Sequence, residues 1–148
     1  RFDSHFPAII RACARTPRKG QAGTWITAEM QAAYGTLFEL GHAHSVETWV
    51  NDKLVGGLYG LAIGKMFYGE SMFAHTTDAS KIAIAHLVRY LGDRGFGMID
   101  CQMNTHHLAS LGAREIPRDD FIDRLRKLTT TPPLCGHWQA DAAAFDWN

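Results

Sequence analysis

The sequence predicts an α/β (α+β) fold, a mixed β-sheet flanked by helices. Three features carry that prediction. Leu54 to Phe73, LVGGLYGLAIGKMFYGESMF, reads as two apolar strands joined at Gly64-Lys65. Ile84, Leu87, Val88 and Leu91 then fall at i, i+3, i+4 and i+7, one apolar face of a helix. Directly after it, Met98 to Gln102 reads as a short strand holding a charge, Asp100. A strand meander followed by a helix and a further strand packs as a mixed sheet with helices laid on it.

In chain order, Phe2, Phe6, Ile9, Ile10 and Cys13 mark one face of a first helix over residues 2–14. RTPRKGQAGTW follows as a basic surface loop. Thr27 caps a second helix, with Glu29 in its first turn and Gly41 as its stop. His44 to Val50 is a strand ending at the Asn51-Asp52 turn. The Gly-rich pair comes next. Glycine weakens a strand interior and often marks a bulge, or a place where a backbone or ligand comes close, so something is expected to lie against Gly56, Gly57, Gly60 and Gly69. Thr77 or Asp78 opens the long helix, and Gly92 or Gly95 ends it. Thr105 caps a short helix ending at Gly112. A last helix runs from about Arg118 to Leu128, with Phe121, Leu125 and Leu128 inward, and Pro132-Pro133 breaks it.

With 148 residues, 46% hydrophobic and 20% charged, the chain is expected to form one globular domain. No apolar run approaches the ~18 residues of a membrane span, so no membrane partner is expected. Three cysteines without a C-x-x-C pair fit a reducing, cytoplasmic setting. Net charge is zero, so bulk charge does not point to nucleic acid. The first twenty residues nevertheless hold Arg1, Arg11, Arg15, Arg18 and Lys19 against Asp3 alone, either a phosphate-facing patch or a solvated loop.

Two carboxylates stand out. Glu70, set in Gly-Glu-Ser-Met-Phe, is either a solvent-facing charge at a strand end or a seat for a cationic group. Asp100, between Ile99 and Cys101, is either paired or functional. Strand alternation places Gln102 on the face of Asp100, where an Asp bonded to the Gln amide would turn the Gln oxygen toward a donor. Cys101, His106 and His107 do not make a metal site, because neighbouring helix positions diverge by about 100°. No Walker A motif, dinucleotide fingerprint or nucleophile elbow is present, nor the Q/R-x-x-G-x-G/A loop of a coenzyme A site.

WIT (25–27), ELGHAHSVETW (39–49), LVGGLYG (54–60), FYGESMF (67–73), ASK (79–81), IDCQ (99–102) and HLASLGAREIPR (107–118) occur in this order. Together they closely resemble the leucyl/phenylalanyl-tRNA–protein transferases, from about Cys13 to Phe121. The resemblance implies a fold like that of the GCN5-related acetyltransferases. It implies transfer of Leu or Phe, less well Met, from aminoacyl-tRNA to the α-amino group of proteins beginning with Arg or Lys, marking them for degradation: a leucyltransferase of the cytoplasm. It implies no cofactor, since aminoacyl-tRNA is the donor, and a monomer is expected.

By motif, Asp100 and Gln102 match the catalytic pair and Glu70 a substrate-site carboxylate. The donor side-chain pocket maps onto Leu58, Phe67, Met72, Ile84, Leu87, Leu91 and Ile99. Trp25 and Tyr34 match aromatic positions near the terminal adenosine, and Arg15, Arg18 and Lys19 are expected on the tRNA backbone. Residues 1–148 are expected to be the catalytic domain without the family's smaller N-terminal domain. Positions 87 and 91, aromatic in relatives, are Leu here. The alternatives are a tRNA-end or basic-N-terminus binding module without full activity, and another aminoacyl-tRNA-dependent transferase of the same fold.

Overall fold

A computed structural model describes residues 1–17, 23–132, 134 and 136–139. The elements are α1 (Phe6–Arg15), α2 (Ala28–Glu39), β1 (Ala43–Val50), β2 (Lys53–Ile63), β3 (Met66–Ala74), α3 (Ala79–Asp93), β4 (Met98–Asp100), α4 (His106–Ser110) and α5 (Arg118–Thr129). Their order is the one the sequence predicts. Several boundaries move. Phe2 lies outside α1 and makes an isolated bridge to Val46. β4 stops at Asp100, so Gln102 lies beyond the strand.

The four strands lie in the order β1-β2-β3-β4. The first three form antiparallel hairpins. Asn51 and Asp52 turn the first with φ of 47° and 58°, the mirror-image turn whose twist suits a hairpin. Gly64-Lys65 turns the second, with Gly64 at φ 61°. The α3 crossover makes β4 parallel to β3, through Met66↔Met98, Phe67↔Ile99 and Tyr68↔Asp100.

Each face of the sheet carries a core. On one, Leu58, Ala62, Phe67, Leu87 and Leu91 pack with Tyr90 and Trp138 under α3. On the other, α1 and α2 bring Phe6, Ile9, Tyr34 and Phe38 onto Tyr59 and Phe73. Val88, expected on the inward face of α3, is 53% exposed. The helix is wide enough to bury Leu87 and Leu91 while Val88 turns toward the groove described below.

The glycines admit other parts of the protein. A Cβ on Gly56 would lie 2.5 Å from the Cβ of Ala79 at the start of α3. One on Gly57 would lie 2.6 Å from Ile9 Cδ1 of α1 and 2.6 Å from the Val46 carbonyl oxygen. Such gaps are well inside van der Waals contact, so these positions let helices rest directly on the sheet. Further along, Tyr59 pairs with Ser71 and Gly60 with Gly69. Glu70 is therefore the extra residue of a β-bulge.

Two buried carboxylates have structural partners. Glu47 accepts from the Ser4 and His5 amides just before α1, each at 3.0 Å, satisfying donors near a helix start. Asp3 accepts from Ser45 N at 2.7 Å and Trp138 N at 2.6 Å, and pairs with His44 at 2.8 Å.

Candidate active site

The bulge re-aims Glu70, as such insertions commonly do near functional sites. Its carboxylate gathers groups from two other elements. Gln102 Nε2 donates to Glu70 Oε2 at 3.2 Å, and the Tyr34 hydroxyl of α2 also bonds to Glu70. A carboxylate only accepts, so the amide nitrogen of Gln102 must face Glu70 and its oxygen must face away. Burial, then the Glu70 charge and hydrogen bond, push the Tyr34 phenol well above its usual range. Tyr34 therefore stays protonated and donates.

Asp100 acts one step away from where the sequence places it. Its Oδ1 accepts from the Gln102 main-chain amide at 2.8 Å, and the Gln102 side chain is held by Glu70. The expected Asp–amide bond is replaced because the strand has ended: Gln102 adopts φ 62°, which breaks the alternation that put the two side chains on one face. Asp100 shapes this turn. Burial and then the Asp100 charge push the Cys101 thiol up, and burial and then Asp100 do the same to Tyr68.

The seven residues of the expected donor pocket come together in one apolar cluster. Leu58, Phe67, Leu87 and Leu91 are sealed in it, whereas Met72, Ile84 and Ile99 are partly buried against it. Of the seven, Ile84 and Ile99 line a groove of about 730 Å³. This groove runs between α3, β4, the 101–104 turn, α4 and the start of α5, and both Asp100 and Gln102 line it. Its volume is within the roughly 300–1,000 Å³ of small-molecule sites. Asn104, Arg114, Glu115 and Arg124 also line it, none of which the sequence singled out. A smaller cavity of about 350 Å³, between β1 and α3, shares no lining residue with it.

Trp25 is 39% exposed and meets Tyr34 edge-on at 6.5 Å. Tyr34 is 8% exposed and packs edge-on against Tyr59 at 5.3 Å. Only Trp25 offers an open ring face. Arg15 is exposed at the end of α1, and Arg18 and Lys19 lie outside the described residues. Among the described residues, no group of three or more His, Cys, Asp or Glu side chains is placed to hold a metal. No described helix is long and apolar enough to cross a membrane.

Among solved structures, the fold is similar to that of AAC(6')-Iy in complex with a bisubstrate analogue of coenzyme A and monomethyl-acetylneamine. The TM-score is 0.54 at 15% identity, covering 78% of this chain and 86% of the other. At that identity the likeness concerns the fold, which is of the GCN5-related acetyltransferase type. Among curated relatives, a leucyl/phenylalanyl-tRNA–protein transferase of Dechloromonas aromatica (strain RCB) is 63% identical over 141 residues, 95% of this chain and 60% of the relative. One from Thiobacillus denitrificans is 59% identical over 142 residues, 96% of this chain and 62% of the relative. The chain thus spans about six-tenths of the length of the curated relatives it matches. A family model described as leucyl/phenylalanyl-tRNA protein transferase matches residues 1–126. On that match, the chain belongs to the leucyl/phenylalanyl-tRNA–protein transferase family.

Proposed function

We propose that this chain transfers Leu or Phe, less well Met, from aminoacyl-tRNA to the α-amino group of proteins beginning with Arg or Lys, and so marks them for degradation. It acts as a cytoplasmic monomer and as the catalytic domain. Family membership supports the reaction class. The observation that carries the mechanism is the Gln102 amide, turned by Glu70 so that its oxygen is free to accept.

The donor is an activated ester, so the reaction calls on no metal, ATP or cofactor. The acceptor amine has an ordinary pKa of about 7.7–8.0, and a useful fraction is neutral at physiological pH. Its nitrogen attacks the ester carbonyl carbon. The C–N bond forms, the C–O bond to the terminal ribose breaks, and the proton lost by the amine ends on the ribose oxygen. Gln102 Oε1 accepts a hydrogen bond from the attacking amine and fixes its approach. Asp100 holds the Gln102 turn through Oδ1 and faces the positive charge that develops on nitrogen. Trp25 stacks on the terminal adenosine, and Arg15, Arg18 and Lys19 contact the tRNA backbone. Ile84 and Ile99 meet the donor side chain, with Leu58, Phe67, Met72, Leu87 and Leu91 behind them. An apolar wall distinguishes one methylene by only about 1–3 kcal/mol, in keeping with tolerance among Leu, Phe and Met.

The test mixes the chain with labelled Leu-tRNA and peptides beginning with Arg or Ala. Label entering the Arg peptide alone is expected. Label in neither, with tRNA or peptide still bound, would favour the binding-module reading. Under single turnover, Asp100→Asn keeps the Oδ1 acceptor and removes the charge. A near wild-type rate would take the Asp100 charge out of the mechanism.

A further inference from the structure

Glu70 is committed to Gln102 and Tyr34, so a cationic acceptor side chain needs another carboxylate. The groove that contains Gln102 offers one besides Asp100, which holds the Gln102 turn. Glu115 lines it, and its Oε1 accepts from Asn104 Nδ2 at 3.0 Å. Among the described residues it makes no ion pair. One carboxylate oxygen is thus steadied by an amide while the other is left for a ligand. Asp100, Arg114 and Arg124 share the groove with Glu115, two carboxylates against two guanidinium groups. Its charge is therefore balanced, and any selection of a cation must come from local pairing rather than from the net field.

Both walls of the groove mix apolar and polar side chains. α3 and β4 contribute Ile84, Val88 and Ile99 with Asp100 at the strand end, while the segment after β4 adds Asn104, Arg114 and Glu115 among further apolar side chains. Gln102 belongs to the turn that joins them. We infer that this groove seats the first residue of the acceptor polypeptide, with its cationic side chain on Glu115 and its α-amino group at Gln102. The inference rests on the proposed transferase reading and deepens it by naming what selects the acceptor. A guanidinium meets a carboxylate through paired N–H donors. Asp100 on the groove wall is engaged at the Gln102 turn, and Glu115, held by Asn104, is the second carboxylate there. An uncharged isostere such as citrulline keeps the length of Arg and loses the charge, so it isolates this contact.

The experiment measures binding of a fluorescent peptide beginning with Arg to the full 148-residue chain by anisotropy, without tRNA. A citrulline peptide, Glu115→Gln and Asn104→Ala are run alongside. The wild type is expected to bind the Arg peptide at least about tenfold more tightly than the citrulline peptide, as for a hydrogen bond to a charged group. Glu115→Gln is expected to erase that preference and leave citrulline binding unchanged; Asn104→Ala is expected to reduce it partly. A preference that survives Glu115→Gln would overturn the assignment, as would a wild type that binds both peptides equally. Transfer from Leu-tRNA, measured separately, tests the parent reading. Transfer with an intact Arg preference in Glu115→Gln sinks the groove assignment alone, whereas absent transfer with a Glu115-dependent preference sinks the reaction alone.

Discussion

Replacing Glu70 in two ways separates positioning from charge recognition. Glu70→Ala removes the acceptor for both the Tyr34 hydroxyl and the Gln102 amide. Tyr34 is buried, and an unsatisfied buried hydroxyl costs about 1–3 kcal/mol. For a chain of 148 residues, each kcal/mol moves the melting temperature by about 2–4 °C, so a fall of roughly 2–12 °C is expected. The freed Gln102 amide then loses its orientation. A hydrogen bond to a charged group contributes about 1.5–3 kcal/mol, and this one is exposed to solvent, so the lower end applies, about tenfold in single-turnover rate. Glu70→Gln keeps the shape. Its oxygen accepts from Gln102 and its amide donates to Tyr34, whose hydroxyl works in either sense. Only charge assistance is lost, so the variant is expected to melt within about 3 °C of the wild type and keep most of its rate. The KM for an Arg-initiated peptide is expected to stay put. Calorimetry beside single-turnover transfer reads all three quantities. If Glu70→Gln raised that KM as much as Glu70→Ala did, with its melting temperature intact, Glu70 would be the cation seat and the positioning argument would be wrong.

Two further outcomes follow from the geometry. Gly57→Ala sets a methyl 2.6 Å from Ile9 Cδ1 and the Val46 carbonyl oxygen; overpacking of that kind costs about 1–3 kcal/mol, and an unchanged urea midpoint would show that α1 does not rest on the sheet there. Burial and Glu70 raise the Tyr34 phenol above its ordinary value of about 10. The folded state therefore holds a proton that the unfolded state releases, and this stability is present below pH ~10 and lost as pH rises beyond it. Tyr34→Phe is expected to flatten the alkaline loss of stability only in part, because burial also raises Tyr68 and Tyr90, which remain. Identical alkaline unfolding curves for the two proteins would refute this.

Periodicity and turn chemistry made the element order legible. Leu87 and Leu91 report a buried face, and Asn51-Asp52 and Gly64-Lys65 report two-residue turns, because these signals are local. The IDCQ and GESMF motifs brought Asp100, Gln102 and Glu70 together as candidates. Their actual bonding was not legible. Tyr34, Glu70 and Gln102 come from α2, β3 and the turn after β4, and a repeat pattern says which way a residue faces but not which distant residue it meets. Gln102 was misdirected because alternation was carried two residues past the strand end. Val88 fitted the helical repeat yet lies on its exposed edge, since a period of 3.6 does not fix how wide the buried stripe is. Asn104 had no signal, and nothing marked out Glu115 within the HLASLGAREIPR stretch: the bond between them appears only once α4 folds back.

The bulge at Glu70 also acts on parity. Phe67 and Met72 are five residues apart, an odd interval that regular alternation would send to opposite faces. Both lie on the α3 side, whereas Phe73 lies on the α1–α2 side. The extra residue inverts the inside–outside frame of the strand half-way along. Deleting one residue between Gly69 and Ser71 would thus do more than remove a carboxylate. It would exchange Met72 and Phe73 across the sheet and turn one half of β3 inside out. Substitution can tune this site gradually, but its length is a whole number that the two cores together hold fixed.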